Sequence, residues 1–248
     1  MKLGGKRNLV PWCNGQHKAL ITLQVRVQIS GELPINEVIM ENLTSMRKCG
    51  IEGVDELLWV TKDSGAYGNT SDGPLFDWIE DSKHFMSRVK KFDTVIQAGG
   101  NCGMYPRFYG NYFRKIYTFE PDALNFYCLD YNCQGDKYHK FQGGLGNTNE
   151  KFSIRTPSED NVGMHYIVDT PGKIQMYKID DLNLEECCLI HLDIEGYESK
   201  ALLGGINTIL KFKPVIVTER GIGADVIVPL GYELIHTMRM DALFVYKG

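Results

Sequence analysis

The segment that most constrains the fold of this chain is Phe92-Asp-Thr-Val-Ile-Gln-Ala-Gly-Gly-Asn-Cys-Gly-Met104. A strand-like apolar run breaks abruptly into glycines, and a second such run ends at Phe119-Glu120-Pro121. Glycines directly after a strand allow a backbone turn to approach a ligand closely. An acid about 20 residues further on suits the two hydroxyls of an adenosine ribose. The pattern therefore predicts a site for an adenosine-containing small molecule.

The composition is that of an ordinary globular chain. Its 248 residues are 43% hydrophobic and 23% charged, with a net charge of -4. The basic runs are short, such as Arg47-Lys48 and Lys90-Lys91, which argues against a general nucleic-acid binder. No apolar run approaches the ~18 residues of a transmembrane helix. We therefore expect a protein that binds neither nucleic acid nor a membrane.

The cysteines point to a reducing compartment. Their number is odd and the chain has no Cys-x-x-Cys pair, which argues against both a zinc site and a disulfide framework. The N-terminal segment lacks the apolar core of a signal peptide. We expect a cytoplasmic protein without a metal site. The cysteines are Cys13, Cys49, Cys102, Cys128, Cys133, Cys187 and Cys188.

The first 70 residues are predicted to form an extension to the domain that follows. Alternating apolar residues predict a strand over Leu23–Ile29, and the pattern of Asn36–Lys48 favours a short helix. Leu57–Thr61 is typical of another strand, and Lys62–Gly73 has the composition of a linker. A helix is expected to begin near Pro74, so we divide the chain into residues 1–70 and 71–248.

From Phe92 onward, strand-like and helix-like segments alternate. This order predicts a parallel α/β sheet with ligands at the carboxyl ends of its strands. One long helix is expected over Glu198–Phe212, and two closing strands over Tyr232–Tyr246. The predicted strands before that closing pair are Thr94–Ala98, Ile116–Phe119, Tyr138–Phe141, Cys188–Asp193 and Val215–Thr218.

A second polar cluster follows an apolar strand at Leu189-Ile-His-Leu-Asp-Ile-Glu-Gly-Tyr-Glu198. In an extended segment His191, Asp193 and Glu195 share one face, because side chains alternate with a period of two. A carboxylate at a strand end, such as Asp193, can act as a base, a substrate hydrogen-bond partner, a metal ligand or a helix N-cap. His191 lies earlier in the strand, where a buried and hydrogen-bonded imidazole is expected.

A third acid, Glu219, ends the apolar run Pro214-Val-Ile-Val-Thr-Glu-Arg220. If the two strands are neighbours, Glu219 should lie beside Asp193. Converging acids can deprotonate a hydroxyl, bind a cationic substrate or hold a divalent ion, and the sequence does not rank these alternatives.

Six segments together resemble FkbM-type S-adenosylmethionine-dependent methyltransferases. They are residues 95–103, 117–121, 144–146, 179–182, 192–198 and 214–219. The resemblance covers roughly residues 92–220, and the tail through Val245 is similar to the last antiparallel strands of that class. It implies a Rossmann-like class I methyltransferase sandwich, an α/β fold whose mostly parallel seven-stranded sheet ends in an antiparallel strand. The most specific segment is Asp-Ile-Glu-Gly-Tyr-Glu at 193–198, which dinucleotide dehydrogenases do not typically carry.

The resemblance also implies a cofactor and a set of site residues. S-adenosylmethionine (SAM) would be the methyl donor and S-adenosylhomocysteine (SAH) the product. The 98–103 turn would hold the methionine part, Glu120 the ribose, and Leu145-Gly146 the adenine. Asp193 is the first candidate for the base, followed by Glu195 and Glu219. The expected cofactor-binding residues are Gln97, Ala98, Gly99, Gly100, Asn101, Gly103, Tyr105, Glu120, Pro121, Leu145, Gly146 and Asp193.

One position departs from the family pattern, since such methyltransferases usually carry an acid where Gln97 stands. The expected acceptor is a hydroxyl on a sugar, a glycan or another small metabolite. Residues 1–70 would then form a cap, a substrate lid or the surface of a homo-oligomer. Two alternatives remain at this point: an NAD(P)-dependent oxidoreductase, and a non-catalytic SAM-binding module.

Overall fold

The computed structural model describes residues 42–63, 74–157 and 161–248. The strand predicted at Leu23–Ile29 and most of the predicted linker lie outside these residues. The described strands are β1 (Thr44–Ile51), β2 (Val54–Val60), β3 (Thr94–Ala98), β4 (Lys115–Glu120), β5 (Tyr138–Gln142), β6 (Gly144–Leu145), β7 (Lys151–Arg155), β8 (Tyr166–Pro171), β9 (Ile174–Tyr177), β10 (Leu189–Leu192), β11 (Val215–Glu219), β12 (Tyr232–Thr237) and β13 (Asp241–Tyr246). The α-helices are α1 (Pro74–Met86), α2 (Met104–Tyr109), α3 (Ala123–Asn132), α4 (Glu198–Leu203), α5 (Ile206–Phe212) and α6 (Ala224–Ile227).

The centre of the fold is a seven-stranded sheet in the order β12-β13-β11-β10-β3-β4-β5. Strands β11, β10, β3, β4 and β5 run parallel, and β13 pairs antiparallel with β11 and with β12. The expected mostly parallel sheet with a closing antiparallel pair is therefore confirmed. Among the described helices, none is long and apolar enough to cross a bilayer.

The sheet is apolar on both faces, which is why its strands are continuous hydrophobic runs in the sequence. The register aligns Leu189 with both Val95 and Val215, and these side chains belong to one core cluster. The next residue of β10, Ile190, belongs to a second cluster on the opposite face. Because the strands are parallel and in register, their carboxyl ends meet at one edge of the sheet.

A smaller four-stranded sheet, in the order β6-β9-β7-β8, follows β5 in the chain. Strand β6 comes directly after β5 and pairs in parallel with β9, while β7 pairs antiparallel with β8 and β9. This sheet brings Tyr166 and Ile167 of β8 to the same cavity as the glycine turn after β3.

The helix predicted over Asn36–Lys48 is wrong for its last residues, because Thr44–Ile51 form strand β1. Residues 36–41 lie outside the described part of the chain. Strand β1 pairs antiparallel with β2 across a tight turn at Glu52-Gly53, and Gly53 has a positive φ of 76°. The cross-strand pairing and the burial of β2 side chains thus outweigh the local helix propensity.

The single helix predicted over Glu198–Phe212 is also wrong, because Gly204-Gly205 divides it into α4 and α5. A Cβ atom on Gly204 would lie 1.9 Å from the carbonyl oxygen of Gly146. The break therefore allows the backbone after β6 to approach the helix, which no residue with a side chain would permit.

The hairpin β1–β2 is attached to α3 by Asn132. The Asn132 amide donates to the Leu58 carbonyl at 2.8 Å, and its Oδ1 accepts from the Leu58 amide at 2.8 Å. The same amide nitrogen donates to the carbonyl of Cys102 at 2.6 Å. A single side chain thus joins the hairpin, the helix and the glycine turn.

Replacing Asn132 with Ala should lower the free energy of unfolding by about 2 kcal/mol, because partly buried backbone groups of Leu58 and Cys102 lose their partner. Urea denaturation monitored by circular dichroism measures this change. Gln134→Ala, at an exposed position just after the same helix, is the control and should change stability by less than about 0.5 kcal/mol. Equal effects of the two substitutions would contradict the role of Asn132.

Candidate active site

A cavity of about 230 Å³ lies at the carboxyl edge of the large sheet, far larger than a single water requires. Its walls come from the turns after β3, β4, β10 and β11, together with Trp59, residues 143–145 and residues 161–167. In parallel α/β folds this edge is where ligands bind.

The glycine turn after β3 is held by backbone and side-chain hydrogen bonds. The amides of Gly99 and Gly100 donate to the carbonyl of Phe119 at 3.2 and 2.9 Å. Gly99 has a φ of +78°, and a Cβ atom there would lie 1.8 Å from the carbonyl oxygen of Asp193. Only glycine therefore fits between the ends of β3 and β10.

Gln97 supports this turn from inside the core, where it is fully buried. Its amide donates to the carbonyls of Ala98 at 3.1 Å and Gly99 at 2.9 Å. Its Oε1 accepts from the hydroxyl of Thr118 at 2.8 Å. Both polar atoms of the Gln97 side chain thus form hydrogen bonds with protein groups.

The Glu120 carboxyl lies in the cavity wall with only 4% of its surface exposed. One oxygen accepts from the amide of Asn101 at 2.7 Å and the other from the amide of Asp122 at 2.8 Å. Burial, reinforced by the nearby charge of Asp122, raises the pKa of Glu120 to about 8. Each oxygen keeps a further lone pair that can accept a hydrogen bond from a ligand.

Three acids meet in the cavity wall, with carboxylate oxygens of Asp193, Glu195 and Glu219 within 4.8 Å of one another. Glu219 also forms an ion pair with Arg220, with 3.1 Å between Oε1 and Nη2. The neighbour relation between Asp193 and Glu219 predicted from the sequence is thereby observed. Carboxylates this close can abstract a proton, accept substrate hydroxyls or bind a hard cation.

The environment of this acidic cluster favours protonated carboxyls. Burial raises the pKa of Asp193 well above its usual value, and the charges of Asp241 and Glu219 raise it further. Burial and the charge of Glu219 also raise the pKa of Glu195, against the opposing effect of Arg220. Once ionised, Asp193 is accordingly a stronger base than an ordinary aspartate.

Two neighbours of the cluster have structural roles. The carboxylate of Glu198 accepts from the amide of Ile194 at 3.0 Å and so supports the turn after β10. His191 is fully buried, and its Nδ1 shares a 2.7 Å hydrogen bond with the Tyr109 hydroxyl. Burial lowers the pKa of His191 to about 3, so the ring is neutral, as expected for a core imidazole.

Helix α4 begins at Glu198 with Tyr197 as its N-cap residue, so Asp193 does not cap it.

The remaining wall is formed by residues 161–167, which pack on α3. Asn125 donates to the carbonyl of Val162 at 3.0 Å, and His165 lies 3.3 Å from the carboxylate of Asp122. Burial alone would raise the pKa of Asp122, but hydrogen bonds from His165 and from backbone amides lower it below its usual value. Strand β8 is linked to the turn after β10 because Asp169 accepts from Tyr197 and Lys200.

The sequence matches the model of the methyltransferase FkbM domain over residues 100–238, which is more than half of the chain. The chain belongs to the FkbM methyltransferase family. Comparison of the sequence with curated proteins gives no match.

Solved methyltransferases are similar to this FkbM domain at low identity. The FkbM methyltransferase from Methylobacillus flagellatus KT is 19% identical, with a TM-score of 0.43, over 66% of this chain and 46% of that chain. This chain therefore spans less than half the length of that relative. The Escherichia coli protein YhhF, assigned as a methyltransferase, is 11% identical, with a TM-score of 0.46, over 82% of this chain and 98% of that chain. A Streptococcus mutans protein assigned as a methyltransferase and solved with SAH is 11% identical, with a TM-score of 0.39, over 67% of this chain and 96% of that chain.

Family membership implies SAM as the cofactor, and the cavity of this FkbM domain suits it. The Glu120 oxygens have free lone pairs for ribose hydroxyls, and Phe119 and Leu145 supply apolar surface for an adenine ring. The glycine turn brings backbone to the cavity, and the acids beyond it complement a positively charged sulfonium. The lining of this cavity thus fits SAM, and which residue contacts which part of it stays a prediction.

Most site residues expected from the sequence line this cavity. Three do not: Gln97 is buried behind the turn, Gly103 is the N-cap of α2, and Gly146 packs against Gly204. Direct cofactor contacts, by these three and by the residues that line the cavity, stay predictions. The expected residues that line the cavity are Ala98, Gly99, Gly100, Asn101, Tyr105, Glu120, Pro121, Leu145, Asp193, Glu195 and Glu219.

Sequence reasoning missed Asp241, Trp59 and the segment Asn161–Gly163. The register places Asp241 opposite Glu219, so its charge reaches the acidic cluster. The signal was an acid at the start of an otherwise apolar strand, which only the antiparallel pairing connects to the site. Trp59 lies outside the matched family domain, and nothing local to it indicated a cavity.

The Asp241 carboxyl should make the protein less stable as the pH rises. Burial, together with the charges of Glu219 and Asp81, raises its pKa to about 7 in the folded state. Between about pH 4 and 7 the folded protein therefore binds more protons than the unfolded chain. The stabilisation that comes from this proton is complete below that window and is lost as the pH rises through it, at up to about 1.4 kcal/mol per pH unit.

Asp241→Asn should reduce this slope and make the variant more stable than wild type at pH 8. Urea denaturation at pH 5, 6.5 and 8 measures the effect. Asp136→Asn, at an exposed position, is the control and should keep the wild-type slope. An unchanged slope in Asp241→Asn would contradict the assignment.

Proposed function

We propose that this protein transfers a methyl group from SAM to a hydroxyl of a sugar or other small hydroxylated metabolite. The observation that carries the proposal is the presence of the glycine turn, Glu120 and the Asp193 cluster in one cavity. SAM supplies an electrophilic methyl when bound. The acceptor oxygen would take this methyl, SAH would be the leaving group, and the hydroxyl proton would pass to the protein.

Asp193 is the proposed base. Methyl displacement depends mainly on alignment of the reacting atoms, so the protein contributes by positioning and by removing one proton. The positive charge of SAM would favour the ionised form of Asp193, and the raised pKa then means that this carboxylate draws the hydroxyl proton more strongly. Glu195 and Glu219 are proposed to accept hydrogen bonds from further hydroxyls of the acceptor.

The wall of the cavity supports a hydroxylated acceptor. Tyr105, Tyr166 and Tyr197 line it together with the three carboxylates. Aromatic faces beside hydrogen-bond acceptors suit a sugar ring, which has apolar faces and a rim of hydroxyls. The cytoplasmic location and the homo-oligomer considered from the sequence stay predictions.

Asp193→Asn should lower the rate of methyl transfer by about 100-fold or more while leaving SAH affinity within about threefold of wild type. Turnover is measured with a panel of sugars and hydroxylated metabolites, and SAH affinity by calorimetry. Asp225→Asn, on α6 and outside the cavity lining, is the control. Wild-type turnover by Asp193→Asn would reject the base assignment.

Glu120→Gln should weaken SAH binding about tenfold at pH 9, where the wild-type carboxyl is ionised and is the stronger acceptor for ribose hydroxyls. Because the pKa of Glu120 is about 8, wild-type affinity should rise from pH 7 to pH 9, and the variant should lack this rise. Calorimetric titration with SAH at both pH values measures this. A parallel titration with NAD separates the oxidoreductase alternative, which tighter NAD binding would favour.

A further inference from the structure

We propose that Trp59 of hairpin β1–β2 is a cofactor-positioning residue that covers the glycine-turn side of the cavity. The hairpin precedes residue 100, where the match to the family domain begins. A segment outside that domain would then determine how tightly the cofactor is held. The inference rests on the proposed function, because its ligand is the SAM–SAH pair.

The position of Trp59 follows from the contacts of the residues on either side. Leu58 is hydrogen-bonded through its amide and its carbonyl to Asn132, which also holds the carbonyl of Cys102 in the glycine turn. Val60 contacts the same turn through a hydrogen bond between its backbone and the Cys102 thiol. Trp59 lies between these two attachments and lines the cavity.

The orientation of the indole determines what it can offer a ligand. Its Nε1 donates to the Asp63 carboxylate at 2.8 Å, and both residues are buried, with 1% and 2% exposure. Arg47 donates to the carbonyls of Thr61 and Asp63 at 3.4 Å and supports the turn that carries this acid. Since the indole N–H is already bonded to Asp63, Trp59 has aromatic carbon rather than a hydrogen-bond donor to offer at the cavity that it lines.

The chemistry of the neighbouring walls indicates which part of the cofactor this surface meets. Both neighbours of Trp59 in the strand are attached to Cys102 of the glycine turn, Leu58 through Asn132 and Val60 through its backbone. Trp59 therefore lines the cavity beside this turn, which is the part proposed to hold the methionine end of the cofactor. There it excludes water from the reacting sulfur and methyl and restricts the position of the aliphatic chain.

Titration with SAH tests this proposal through affinity and through tryptophan fluorescence. Binding of SAH should change the emission of the wild-type protein, and Trp59→Phe should abolish most of that change while keeping affinity within about threefold. Trp59→Leu, which keeps an apolar side chain but removes the ring, should raise the SAH dissociation constant about tenfold.

Leu57→Ala separates a positioning role from a merely structural one. Leu57 is buried in the same strand and the same core cluster, but it does not line the cavity. This variant should lower the melting temperature by several degrees while leaving SAH affinity at the wild-type value.

The proposal is overturned if Trp59→Phe keeps the full emission change, or if Leu57→Ala weakens SAH binding as much as Trp59→Leu does. Wild-type protein that fails to bind SAH would reject the proposed function itself. Wild-type binding combined with an unaffected Trp59→Leu variant would reject the role of Trp59 alone.

Discussion

The close packing of Gly99 against the end of β10 is the constraint on which the site depends. The Asp193 amide donates to the carbonyl of Ala98 at 3.1 Å, so the β3–β10 pairing continues past the last paired residues. Gly99 then turns away with a positive φ, directly against the Asp193 carbonyl. This contact fixes the distance between the turn proposed to hold the cofactor and the acid proposed to act as base. A side chain at residue 99 would separate the two.

The parts of the fold and site that are determined by the residues of a single segment could be predicted from the sequence. Strands β3, β10 and β11 are buried on both faces, so each is a continuous apolar run that the sequence alone identifies as a strand. The acids Glu120, Asp193 and Glu219 were found because each follows or ends an apolar run. Asp241 and Trp59 reach the site only through register and hairpin docking. Such long-range contacts leave no local pattern. The β1 strand and the break at Gly204 were missed for the same reason, since a partner elsewhere in the chain decides both.

Gln97 shows how a departure from a family pattern can have a structural reason. Its amide donates to two carbonyls while its oxygen accepts from Thr118, which requires donor and acceptor in one side chain. An ionised carboxylate can only accept, so it would leave the carbonyls of Ala98 and Gly99 without this partner. The neutral residue therefore stabilises the turn from its buried side, and the proposed cofactor site has one negative charge fewer.

The charge lost at Gln97 has a counterpart in the acids of the cavity wall. Asp193, Glu195, Glu219 and Asp241 lie close together, and Arg220 is the cation paired with one of them. Where these carboxyls are ionised, they would attract the positively charged sulfonium of SAM more than the neutral sulfur of SAH. The proposed methyl transfer would remove that positive charge and deliver a proton to the cluster. Both the attraction of the cluster for the cofactor and the repulsion among its carboxylates would then become weaker, which favours release of SAH over release of SAM.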